Sequence, residues 1–254
     1  SGDGNGDTVP DRQLFSIRAR VTLEGVTLTH GTAGFGGAVR VASNGVLTLR
    51  RCAVVDSEAT QYGGAIDVDG GQLTLDGCFI GRNRLAHDTG MSGAGVSVYS
   101  DRDIEIVNTT FAGNLQPNPT GDGGGALVVQ NLTPSPPMRA RITHCPFLEN
   151  EAEAATATPV SGVDFGTRIQ SLHSIFRDFS GRNLDVAGAA EFVSLGGNIC
   201  DDSSRTLNLQ QGQSGDVFLL NHVTDETETD ALLAPLNTAG DPTPEATPAI
   251  LDAL

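Results

Sequence analysis

Apolar and polar residues alternate with a period of two along short stretches of this chain, and these stretches return at regular intervals. Val21-Thr22-Leu23-Glu24-Gly25-Val26 is followed by Leu47-Thr48-Leu49-Arg50-Arg51-Cys52 and Leu73-Thr74-Leu75-Asp76-Gly77-Cys78. Two further copies are Ile104-Glu105-Ile106-Val107-Asn108-Thr109 and Ala140-Arg141-Ile142-Thr143-His144-Cys145, and a weaker one ends at Ser174. The final residues of successive copies lie 26, 26, 31, 36 and 29 positions apart. A second segment keeps the same step: Gly36-Gly37-Ala38-Val39-Arg40-Val41, Gly63-Gly64-Ala65-Ile66-Asp67-Val68, Gly93-Ala94-Gly95-Val96-Ser97-Val98 and Gly124-Gly125-Ala126-Leu127-Val128-Val129, with Gly162-Val163-Asp164-Phe165 as a degraded fifth.

A two-residue period is that of a strand with one face buried. A unit of about thirty residues with two or three such strands cannot bury its apolar side alone, so successive units must stack. The pattern therefore predicts an all-β, single-stranded, right-handed parallel β-helix of six to seven coils. Inward Val, Leu and Ile form its core, and equivalent strands pair at about 4.8 Å. Residues 14–193 are assigned to the coils, 1–13 to an acidic leader, and 194–254 to the last coil and a Pro-rich C-terminal cap that seals the open edge.

The glycines at Gly36, Gly37, Gly63, Gly64, Gly93, Gly124 and Gly125 enter strands from tight corners, which requires positive φ or a backbone without a Cβ to crowd the next coil. Asn83, Asn114 and Asn150 recur at the opposite corner, where Asn tolerates left-handed backbone and stacked copies can bond side chain to side chain. Cys52 and Cys78 fall at equivalent inward places in adjacent coils, either bridged or as part of a ladder of small thiols. Cys145 takes the same place further on, with Thr109 between, and is expected to be unpaired.

Composition adjusts this picture in two ways. The chain has no Trp and is only 5% aromatic, which suits a thin core of stacked aliphatic side chains. Its formal net charge is −16, and every one of its 15 basic residues is Arg. Such a surface repels phosphates, so nucleic acid is excluded as a partner. No stretch approaches the roughly 18 consecutive apolar residues of a membrane span, so direct membrane insertion is not expected either.

The pairing of Gly-Gly-Ala-Ile/Val/Leu with Phe-x-x-Asn, as in Phe111-Ala112-Gly113-Asn114 and Phe147-Leu148-Glu149-Asn150, resembles the repeats of chlamydial polymorphic outer membrane proteins and related bacterial surface β-helices. Ser194-Leu195-Gly196-Gly197-Asn198-Ile199, then Asp230-Ala231-Leu232-Leu233-Ala234-Pro235-Leu236, Asp241-Pro242-Thr243-Pro244 and Pro248-Ala249-Ile250, resembles the end of bacterial choice-of-anchor Q domain proteins. These resemblances imply a secreted or surface-displayed bacterial β-helix with no transferable catalytic set. The expected function is a non-enzymatic extracellular module for structural display, adhesion or ligand binding. Its partner would be a protein or glycan at the cell surface. The alternatives are a subunit that assembles with copies of itself into a sheath or filament, and a pectate-lyase-like polysaccharide-degrading enzyme.

Candidate chemistry is sparse. Arg40, Asp67, Ser97, Val128 and Asp164 are expected in line on an outward face, with Asp69 two residues beyond Asp67 and Asp56, Asp101 and Asp103 at nearby corners. Two carboxylates converging on one groove are what polysaccharide cleavage needs, although exposed Asp at turns is the default role. Five dispersed histidines, His30, His87, His144, His173 and His222, form no triad arrangement. Asp3, Asn5 and Asp7 copy the opening of a calcium loop, but Leu14 stands where its closing Glu belongs. Calcium at these three residues is the one cofactor suggested. Asn108 and Asn131 begin glycosylation tripeptides. The long loops near 85–92, 115–122 and 131–138 are the expected place of any displayed function.

Overall fold

A computed structural model describes residues 12–86, 92–117, 124–133, 137–152, 158–163, 167–177, 184–187, 190–196, 198–200 and 217–218. Every regular element among them is a strand, and every pairing is parallel. The chain is a parallel β-solenoid.

Each full turn carries four strands, where the alternation alone predicts two or three. Sheet A holds Phe15–Ile17, Val39–Val41, Ile66–Asp69, Val96–Ser100, Gly124–Asn131, Thr158–Val163 and Leu184–Ala187. Sheet B holds Arg20–Glu24, Val46–Arg50, Gln72–Asp76, Ile104–Val107, Arg139–Thr143, Arg168–Leu172 and Glu191–Ser194. Sheet C runs from Thr27–Thr29 through Ala53–Val55, Phe79–Gly81, Thr110–Ala112, Pro146–Leu148 and Ile175–Arg177 to Ile199–Cys200 and Val217–Phe218. Sheet D holds the shorter Thr32–Phe35, Glu58–Tyr62, Arg84–Leu85, Leu115–Gln116 and Glu151–Ala152. Sheet D has five strands among the described residues, so about five turns are complete there, fewer than the six to seven coils expected.

The alternating segments explain the register. Leu23, Leu49 and Leu75 are Cα partners in adjacent turns, continued by Ile106 and Ile142. Leu49 and Leu75 are both fully buried. Burying each such side chain contributes roughly 1.5–3 kcal/mol, which makes the stacked column the main source of stability. At Ser171 the column turns polar: Asn198 donates to the Ser171 carbonyl (3.1 Å) and to Ser194 Oγ (2.8 Å), and all three residues are buried.

The core is not wholly aliphatic. The inward column of sheet C passes from Leu28, Val54 and Ile80 to Phe111, Phe147 and Phe176. Phe111 and Phe147 stack at 4.7 Å between centroids, and Phe147 and Phe176 at 5.2 Å. These three rings are thus placed where they can stack. Register also shows that Ile80, not Phe79, is the equivalent of Phe111, while Phe79 packs on the other face with Val55, Ala112 and Leu148.

Two corners turn through single left-handed residues. Between sheets B and C these are Gly25, Arg51, Gly77, Asn108, His144 and His173, and between sheets C and D they are His30, Asp56, Arg82, Gly113 and Glu149. Asn83, Asn114 and Asn150 follow the left-handed residue rather than occupying its place. Their work is a buried ladder. Asn83 Nδ2 donates to Asn114 Oδ1 (2.9 Å) and Asn114 Nδ2 to Asn150 Oδ1 (2.7 Å), and each Oδ1 also accepts the amide N–H of the residue one turn below.

Candidate functional site

Side chains at alternate positions of sheet A point away from the core and form two outward columns. Register places Arg40, Asp67, Ser97 and Val128 side by side, and the backbone position paired with Val128 in the next turn is Ser161. Ser161 therefore holds the place predicted for Asp164, which lies outside the described residues. The fifth repeat is out of frame because Gly162 pairs with Val129 inside a strand instead of starting one. The second column is Asp69, Tyr99 and Gln130.

The two columns meet the ends of the first two sheet D strands, Phe35 and Tyr62, whose rings stack at 5.7 Å with 9° between planes. Together Phe35, Arg40, Tyr62, Asp67, Asp69, Tyr99 and Gln130 line a groove of about 390 Å³. Tyr62 and Tyr99 are the only tyrosines of the chain. Asp67 is 4% exposed and forms the floor, whereas Tyr99 is 44% exposed and forms a wall.

Arg40 organises the charges. Its guanidinium lies over the Phe35 ring, 4.6 Å from the centroid, and its Nη2 donates to Asp69 Oδ2 at 2.8 Å. Asp67 Oδ2 lies 3.5 Å from Arg40 Nε, which is an ionic contact but too long for a hydrogen bond, and it has no hydrogen-bond partner among the described residues. Burial dominates the result. Loss of solvation pushes the Asp67 carboxyl up to about 7, with Arg40 opposing and Asp69 reinforcing the rise. At this distance one half-shared guanidinium does not replace the lost water.

Sequence alternation singled out Asp67 and Asp69 but missed Phe35, Tyr62, Tyr99 and Gln130. The available signal was that both tyrosines are scarce and that one of them falls two residues after Ser97 on an outward position. Asp56 is elsewhere, at the corner between sheets C and D, where Arg82 holds it by paired bonds of 2.9 Å. Asp103 accepts the Arg139 amide at 2.9 Å at the entry to sheet B.

Neither Cys52 nor Cys78 is bridged, and both are buried with Cys145. Their thiols donate weakly to carbonyls of the preceding turn, Cys52 to Leu23 (3.4 Å) and Cys78 to Leu49 (3.4 Å). Burial raises the Cys78 thiol and pushes Cys145 up to about 12, so these sulfurs stay protonated and serve as packing. His144 and His173 stack on an exposed corner, with Nε2 of one 3.1 Å from Nδ1 of the other. Among the described residues no group of three or more His, Cys, Asp or Glu is placed to hold a metal ion. Asp3, Asn5 and Asp7 lie outside the described residues, as do most positions of the three long loops. Asn131 is fully buried, which removes it as a glycosylation acceptor, whereas Asn108 is exposed.

Compared with protein-family models, curated proteins and solved structures, the chain matches none of them. Of the resemblances to surface β-helices, the fold is what the structure establishes. No helix among the described residues is long and apolar enough to cross a membrane.

Proposed function

We propose that this chain is an extracellular or cell-surface β-solenoid module that binds a neutral glycan along the outward face of sheet A. One observation carries the reading: both tyrosines of the chain converge with Asp69, Arg40 and Gln130 on a single groove. Sugars are recognised by an apolar ring face and a fringe of hydroxyls. An exposed aromatic such as Tyr99 offers a surface for the first, and carboxylate, guanidinium and amide groups offer acceptors and donors for the second. Arg40 is already compensated by Asp69 and lies close to Asp67, which leaves no spare positive charge for an acidic sugar. The rigid stack of paired turns suits display outside the cell, as do the resemblances noted in the repeats and the C-terminal series.

Affinity electrophoresis through gels containing β-glucan, xylan or mannan tests this. The full chain is expected to be retarded by at least one of them, and Tyr99→Ala to lose at least about tenfold in affinity. This is the scale of one lost aromatic contact, roughly 1.4 kcal/mol. Equal retardation of Tyr99→Ala and the unaltered chain would place any binding elsewhere.

Self-assembly into a sheath remains a second reading because of the first turn. Leu14, Phe15 and Val26 are 38–39% exposed there, and Val21 and Leu23 are only partly buried. A second copy stacked on this end would cover them through a head-to-tail contact. Light scattering across a concentration series distinguishes growing assemblies from a fixed monomer.

A further inference from the structure

We propose that the sheet A groove hydrolyses a glycosidic bond of the glycan it binds, with Asp67 as general acid and Asp69 as the base that activates water. This rests on the glycan-binding reading and adds chemistry to it.

The two carboxyls lie on the same face of one strand, two residues apart, in Ile66–Asp69. At about 3.3 Å per residue their Cα atoms are about 6.6 Å apart. Both carboxyls also reach the same guanidinium, Asp69 Oδ2 at 2.8 Å from Nη2 and Asp67 Oδ2 at 3.5 Å from Nε of Arg40, and the inverting course, with a water between the two carboxyls, is part of the proposal. Their surroundings differ as the two roles require. Asp69 is exposed at the groove wall and oriented by Arg40 at 2.8 Å. Asp67 sits at the floor, 4% exposed, with no hydrogen bond to Oδ2 among the described residues. A buried carboxyl kept only for architecture would have its oxygens satisfied, because an unsatisfied one weakens the fold. Here Oδ2 is enclosed with only the 3.5 Å ionic contact to Arg40, and the residue lines the groove.

The charged and titratable groups that face Asp67 are Arg40 from the strand on one side, Asp69 on its own strand, and the phenols of Tyr62 and Tyr99 along the groove; Ser97 flanks it on the other side. Burial outweighs the Arg40 charge, and the carboxyl keeps its proton up to about pH 7. An acid that is still protonated near neutrality has a proton to give. In the proposed step Asp67 transfers that proton to the bridging oxygen as its bond to the anomeric carbon breaks. Water attacks the anomeric carbon from the opposite face and gives its proton to Asp69. Two shorter glycans result, one with a new reducing end of inverted configuration. Asp67 is left as the carboxylate and Asp69 as the acid, and exchange with solvent resets both. No redox partner is involved.

The test measures reducing ends released by the full chain from β-glucan, xylan and mannan, with polygalacturonate as the acidic comparison, alongside the gel retardation described above. The unaltered chain is expected to cut at least one neutral polymer, at a rate that falls as pH rises through about 7. Asp67→Asn, nearly isosteric, is expected to lose roughly 10²–10⁴-fold in rate, and Asp69→Asn to lose a comparable factor. Retardation without release by the unaltered chain overturns the catalytic step and leaves the binding reading standing. Release that survives Asp67→Asn, or release confined to polygalacturonate, also overturns it. If no polymer is either retarded or cut, both readings fall together.

Discussion

Asp67 is a carboxyl that is worse solvated in the folded chain than in the open one, and the consequence can be read in stability. Its ordinary value of 3.8 rises to about 7 on folding, because burial costs its charged form more than Arg40 returns. A carboxyl raised by folding binds its proton more tightly in the native state. Its contribution to stability is therefore full below about pH 4 and is lost as pH climbs through about 7. Asp67→Asn removes the group that must be ionised at the floor. Urea unfolding is expected to show the variant more stable than the unaltered chain above about pH 7, by on the order of 1–3 kcal/mol, with the advantage shrinking toward pH 4. A difference independent of pH would mean that Asp67 is already ionised in the groove. The alternation of sheet A made Asp67 and Asp69 visible as outward residues in the sequence. The burial of one and exposure of the other depends on Arg40 and Tyr99 in neighbouring turns, and no local pattern carries that.

Among the elements, the glycine pairs show how two adjacent residues of one type do different work. Gly63 has φ of +61°, a conformation only glycine enters freely. Gly64 has no unusual φ, but a Cβ there would overlap the carbonyl oxygen of Ala94 in the next turn. Gly25 is the useful contrast, with φ of +63° and no atom of another residue within 4 Å of the place a Cβ would take. Gly25→Ala is expected to cost about 1–2 kcal/mol, the left-handed penalty alone. Gly64→Ala should cost more, on the order of 3 kcal/mol, because two turns must separate. Thermal melts of the two variants check the order, and equal losses would show that the turns are not packed as tightly as described. The strands of sheet B were legible because alternation runs over four or five residues, as in Gln72–Asp76, and those of sheet A because a short alternation follows each recurring glycine pair, as in Val39–Val41. Sheet D was not, since Arg84–Leu85 and Leu115–Gln116 are too short to show a period and Glu58–Tyr62 mixes polar types. The groove lies where sheets A and D meet, so its aromatic wall became visible only once the fourth strand was in place.

For the whole molecule, the solenoid stacks charge as well as apolar side chains. Arg51 pairs with Glu24, Arg82 with Asp56, Arg84 with Glu58 and Arg168 with Glu191, each from one turn to the next. These pairs are largely exposed, and such contacts are worth about 0–1 kcal/mol each. Against them stands a formal charge of −16, from 31 acidic and 15 basic residues, whose mutual repulsion acts on the folded chain most strongly because it is the denser state. Added salt weakens both effects, with a screening length that falls from about 10 Å at 0.1 M toward about 3 Å at 1 M. The paired charges are in contact and lose little at that range, while the unpaired carboxylates spread over the surface lose most of their repulsion. Sodium chloride up to about 0.5 M is therefore expected to raise the urea midpoint, with the slope of the transition unchanged. Chloride is the appropriate anion, because sulfate would stabilise the fold by exclusion from its surface whatever its charge. A midpoint that falls with salt would show that the turn-to-turn ion pairs act as a connected network and outweigh the repulsion of the excess acidic groups.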